Sequence, residues 1–106
     1  MANLFKITDE NWSEVLADHP LMVIDFSATW CGPCKKLTPI YEEIAHEMAA
    51  KAFFASCDID DAQDLAMQYG IMSVPTIAIF KNGKPVEMIV GLQPKERLIE
   101  KISQHV

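Results

Sequence analysis

The sequence predicts a three-layer α/β fold, with a central mixed five-stranded sheet flanked by helices, and three observations predict it. Apolar runs of strand length alternate with segments whose apolar residues recur at helical intervals, in the order βαβαβαββα. The run Leu21 to Phe26 is apolar at every position but Asp25, as in a strand covered on both faces. The last two strand candidates are separated by Asn82-Gly83, a tight-turn pair that adds antiparallel pairing to the sheet.

Leu4 to Ile7 reads as a short opening strand. Thr8 is placed to cap the helix that follows, with Asp9 and Glu10 in its first turn, where the helix dipole favours acids; this helix ends near Ala17. His19-Pro20 breaks the chain before the central strand. After Trp30-Cys31-Gly32-Pro33-Cys34 the apolar residues fall at Leu37, Ile40, Tyr41, Ile44, Ala45 and Met48, which are helical intervals. Pro39 removes a donor inside that pattern and predicts a kink. Phe53 to Cys57 is a third strand, Ala62 to Tyr69 a short helix stopped by Gly70, and Thr76 to Phe80 a fourth strand. Val86 to Val90 returns antiparallel, and Pro94 opens a last helix with Leu98, Ile99 and Ile102 on its inner side. Strands separated by helices are expected to be joined by right-handed parallel crossovers.

The 106 residues, 50% hydrophobic and 23% charged, suit one domain over positions 1–106. No Gly/Ser-rich linker, low-complexity stretch or repeat divides them. At this length no metal or disulfide staple is needed for stability. The longest aliphatic run, Leu21 to Ile24, is far short of a membrane span, and Met1 to Lys6 lacks a basic-then-apolar leader, so neither membrane anchoring nor export is expected. The formal charge of −6, with the bases scattered, disfavours nucleic acid as a ligand. Three cysteines do not make a paired secretory framework, and a reducing cytoplasmic setting is expected. There, two closely spaced cysteines signal a metal site or redox chemistry.

Cys31 and Cys34 stand where a buried strand meets a long helix, and that location selects the first thiol. The free N–H groups and positive dipole of a helix start stabilise a thiolate, so the Cys31 pKa should fall below the ordinary value of about 8.5. Pro33 fits the first helical turn, where its missing N–H is no loss, and Gly32 lets the backbone bend to bring the sulfurs together. Lys35 and Lys36 add nearby positive charge, and Trp30 shields the site. Cys31 would attack a substrate disulfide; Cys34 would then attack the mixed disulfide, closing a Cys31–Cys34 bridge and releasing reduced substrate. Cys34 must lose a proton in an apolar place, and Asp25 is the candidate base, its own pKa raised by its neighbours. The competing reading of Asp25 is a strand-end residue bonded to backbone. The competing reading of the pair is structural zinc, but only Cys57, His19, His46 and His105 remain as ligands, none in a second close pair, so no metal is expected.

The segment Asp25-Phe26-Ser27-Ala28-Thr29-Trp30-Cys31-Gly32-Pro33-Cys34-Lys35 resembles the active-site segment of the thioredoxin family. The resemblance runs through the chain: Val74-Pro75-Thr76 is similar to the family's cis-proline loop, Phe80-Lys81-Asn82-Gly83 to its hairpin, and Val90-Gly91 to the glycine step beside the site. It implies a thioredoxin fold, a cis Pro75 facing the cysteines, and a shallow apolar groove lined by Trp30, Met72, Ser73, Val74, Gly91 and Leu92. It further implies a general protein-disulfide reductase and electron carrier in cell redox homeostasis. Disulfide-containing client proteins would be its substrates, a thioredoxin reductase would recharge it, and it would work as a monomer. Ser27 stands where the family often has an aromatic residue, and Ser56 where a lysine often neighbours the buried aspartate. Met72-Ser73 replaces the frequent basic or glycine residues before the cis-proline.

No Gly-rich nucleotide loop occurs, so no bound cofactor is expected. Cys57 alternates with Phe53 and Ala55 and reads as a core residue; Met22, Met48, Met67 and Met88 read as packing residues. The three histidines read as surface residues, and Asp58, Asp60, Asp61 and Asp64 as solvated loop and helix-start positions. Two other functions fit the same chain. One is an oxidase or isomerase of the same fold, disfavoured by Gly-Pro between the cysteines; the other is a module that binds a partner without electron transfer.

Overall fold

The central strand is the one whose sequence is apolar on both sides. In the computed structural model, which describes residues 4–106, this strand is β2 (Leu21–Ser27), with Met22, Val23, Ile24 and Phe26 fully buried. The chain order is β1 (Phe5–Ile7), α1 (Trp12–Asp18), β2, α2 (Gly32–Glu47), β3 (Phe53–Asp58), α3 (Gln63–Gln68), β4 (Thr76–Lys81), β5 (Lys84–Val90) and α4 (Lys95–Ser103). The five strands form one sheet in the order β1-β3-β2-β4-β5. Residues 1–3, the start of the segment read as lacking a leader, lie outside the described residues. Among the described residues no helix is long and apolar enough to cross a membrane.

Alternation along the strands divides the core in two. Ile24, Phe26, Ala55, Cys57, Ala78 and Phe80 face Val15 and Leu16 of α1 and Leu65 of α3. Val23, Phe54, Ile77, Ile79 and Ile89 face Leu37, Tyr41 and Ile44 of α2 and Leu98 and Ile102 of α4. The three layers follow from this period of two.

β1 and β2 both run parallel to β3, whereas β4 is antiparallel to β2. The β3–α3–β4 connection is therefore not the expected parallel crossover. A six-residue helix spans only about 9 Å, less than half the roughly 20 Å of a six-residue strand, so α3 does not carry the chain back along the sheet. β4 enters from the end at which β3 stopped.

Other local expectations also change. Thr8 does not cap α1: Asn11 stands at the cap, its Oδ1 accepting the Thr8 N–H (2.8 Å) and its Nδ2 donating to the Lys6 carbonyl (3.0 Å). These bonds close a turn over positions 8–11 and start the helix at Trp12, outside the reach of Asp9 and Glu10. The Asp9 carboxylate instead accepts the Leu65 (3.2 Å) and Asp64 (3.4 Å) N–H groups at the start of α3. At Pro39 there is no break: α2 continues through it, in keeping with the expectation of at most a kink there. Met22 and Met48 are buried, but Met67 and Met88 are exposed, because Met67 lies on the outer side of α3 and Met88 on the edge strand β5, which α3 does not cover. His46 is exposed, whereas His19 is half-buried, stacked on Phe53, and His105 lies 3.2 Å from Glu87.

Candidate active site

β2 delivers the chain to the site. Beyond Ser27 the backbone turns, with the Cys31 N–H donating to the Ala28 carbonyl (3.2 Å), and Cys31 takes an extended conformation as the N-cap of α2. Its Sγ accepts the main-chain N–H of Cys34 at 3.2 Å, the position a capping oxygen normally fills. Gly32 and Pro33 make the first turn, where proline's missing donor is not needed. Cys31 and Cys34 are joined as a disulfide with Cα atoms 5.3 Å apart, and both are buried, 5% and 3% exposed. Among the described residues, no three His, Cys, Asp or Glu side chains converge as metal ligands.

Ala28 clusters with the two cysteines, and Ile59 and Val74 pack against that cluster. The Val74 carbonyl oxygen is 3.7 Å from Cys31 Sγ, and the Val74–Pro75 peptide bond is cis. The Gly91 N–H donates to the Pro75 carbonyl (2.9 Å) from a backbone at φ +89°, a conformation that favours glycine. Trp30, Met72, Ser73 and Leu92 are exposed; Met72, at 95%, is the most exposed of the large apolar side chains among the described residues. Trp30 is 68% exposed, and its Nε1 donates to Asp60 Oδ2 at 3.3 Å. Lys35 and Lys36 are exposed on α2.

Asp25 is 4% exposed, in the interior of β2 between Ser56 of β3 and Ile77 of β4. Its Oδ1 has no hydrogen-bond partner. Burial raises its pKa from 3.8 to about 7. Ser56, its neighbour across the strands, brings no cation to oppose this. Asp25 is not at the strand end that the competing reading supposed: it is the fifth of the seven residues of β2.

Sequence reasoning did not place Ile59 or Asp60 at the site. The available signal was Ile59 itself, one apolar residue between Asp58 and Asp60, where a solvated loop has no need of it.

A cysteine pair closing the first turn of a helix, on an open mixed sheet, defines a thiol–disulfide oxidoreductase. The chain belongs to the thioredoxin family, whose model matches residues 3–104. It is 41% identical over 103 residues to a thioredoxin of Staphylococcus haemolyticus, covering 97% of this chain and 98% of that one. The thioredoxin of Staphylococcus aureus is 40% identical over the same length and coverage. Among solved structures, Plasmodium falciparum thioredoxin superposes with a TM-score of 0.90 at 29% identity, covering 97% of this chain and all (100%) of its own. The reduced thioredoxin pre-protein of Schistosoma mansoni gives 0.90 at 31%, covering 99% and 100%. The expected fold and thiol–disulfide chemistry are thereby established, with disulfide-containing substrates and a reductase partner in general.

Proposed function

We propose that this protein is a general protein-disulfide reductase, one cytoplasmic domain acting as a monomer and recharged by a thioredoxin reductase. The observation that carries the reading is the Cys31 sulfur at the N-cap of α2, accepting the Cys34 N–H. Two-electron reduction of the bridge leaves both cysteines as thiols. Cys31, ionised in the field of the helix start, attacks one sulfur of a client disulfide. The client S–S bond breaks, a Cys31–client bond forms, and the departing client sulfur takes up a proton. Cys34 then gives its proton to the Asp25 carboxylate and attacks Cys31, re-forming the bridge and releasing the second client thiol. The client gains two electrons and two protons, and the reductase returns the pair to the protein.

The client segment lies in a groove formed by Trp30, Met72, Ser73, Val74, Pro75, Gly91 and Leu92. The exposed apolar side chains of Trp30, Met72 and Leu92 support this reading, Trp30 preceding Cys31 in sequence and Met72 standing two residues before Val74, whose carbonyl is 3.7 Å from Cys31 Sγ. A surface of this kind accepts many sequences, since apolar contact is not directional.

The test is coupled turnover on a disulfide protein with wild type and Cys34→Ala. The expected result is lost turnover in the variant with a covalent adduct trapped through Cys31. Undiminished activity without an adduct would overturn the mechanism.

A further inference from the structure

The end of β3 and the loop between it and α3 carry Asp58, Asp60 and Asp61 and no base. Ile59 packs against the cluster of Ala28, Cys31 and Cys34, so the acidic loop in which it sits borders the site. Asp58 stands opposite Ser27 at the end of the sheet, and Asp60 is held on Trp30. Asp60 and Asp61 are exposed, and Asp64 follows on the first turn of α3. Among the described residues the ion pairs join Lys95 to Glu43 and Glu47, and Lys101 and His105 to Glu87; none reaches this loop. Lys35 and Lys36, the bases nearest in sequence to Cys34, pair with none of these acids. Burial, and after it the carboxylates of Asp58, Asp9, Asp61 and Asp25, push the pKa of the nearby Cys57 thiol up to about 12. The net charge of −6 extends the field beyond the site.

We propose that the clients reduced fastest carry Lys or Arg next to the attacked disulfide, where that segment crosses the rim formed by Trp30, Asp60 and Asp61. This rests on the reductase reading above and names its substrate class. The groove supplies apolar contact without sign. The rim supplies the sign, raising encounter with basic segments and opposing acidic ones.

The test uses three peptides with the same disulfide and the flanking residues Lys, Gln or Glu. Second-order reduction rates are measured at about 0.01 M and about 1 M salt, where the screening lengths are roughly 30 and 3 Å. At low salt the Lys peptide is expected to react about tenfold faster than the Glu peptide, with the Gln peptide between them, and high salt is expected to bring the three together. In Asp61→Asn/Asp64→Asn the low-salt ratio of Lys to Glu rates should fall about twofold or more. Equal rates at low salt, a ratio that survives high salt, or an unchanged ratio in the double variant would each overturn the proposal. Failure to reduce any of the peptides would instead overturn the reductase reading beneath it.

Discussion

The Cys31 sulfur accepts the Cys34 main-chain N–H at 3.2 Å, so the residue proposed above as the nucleophile is also the cap of its own helix. A sulfur in that position gains more as an anion than as a thiol, because the N–H and the helix dipole both favour negative charge.

The first prediction is an acidic Cys31. Alkylation of the reduced protein by iodoacetamide across a pH series should show a reactive thiol with a midpoint clearly below the ordinary value of about 8.5. A midpoint at or above that value would remove the physical basis for selecting Cys31 over Cys34.

Asp25 gives a prediction with a definite sign. Its folded pKa of about 7 lies above the ordinary 3.8, so between these values the native state holds a proton that the unfolded state has lost. Stability on this account falls as pH rises from about 4 to 7, and above 7 the buried carboxylate costs up to roughly 4 kcal/mol. Asp25→Asn should therefore be more stable than wild type at pH 8, by on the order of 2–4 kcal/mol, and close to it near pH 4. Urea titrations at the two pH values measure the difference. The same variant should slow resolution by Cys34, seen as a longer-lived mixed disulfide.

The site was legible where chemistry depends on neighbours in sequence. Cys31, Gly32, Pro33 and Cys34 lie within one turn, and Asp25 stands out because the rest of the run Leu21 to Phe26 is apolar. Contacts that depend on the path of the chain were not legible. Asn11 replaces Thr8 at the first helix because its amide reaches both Thr8 and Lys6, which composition alone does not rank. Asp9 was assigned to its own helix and serves α3, 55 and 56 residues away in sequence. The antiparallel β4 depends on how far α3 travels, and Asp60 joins Trp30 across 30 residues only once β2 and β3 are paired.

Cys57 should behave as an inert thiol. It is 1% exposed, and burial together with nearby carboxylates pushes its pKa up to about 12, leaving roughly one molecule in ten thousand ionised at pH 8. Reduced native protein should lose two thiols rapidly to a disulfide dye and the third only on adding denaturant. Rapid loss of all three would show that the strand end opens readily.

Tyr41 tests how the middle of the sheet, near Asp25, is held to α2. Its hydroxyl lies 2.7 Å from the Ala55 carbonyl and 3.0 Å from the Val23 carbonyl, joining the middle helix to β3 and β2 at once. One proton serves both oxygens, and the side chain is fully buried, so water does not replace it. Burial raises the phenol's pKa well above its ordinary value, with the nearby Asp25 adding to the effect, so the group stays neutral and able to donate. Tyr41→Phe keeps the ring against Phe54 and removes only the hydroxyl. It should cost about 1–3 kcal/mol in urea unfolding, with the slope of the transition unchanged. A near-zero cost would mean that the strand ladders already satisfy both carbonyls and that α2 is held to the sheet by apolar packing alone.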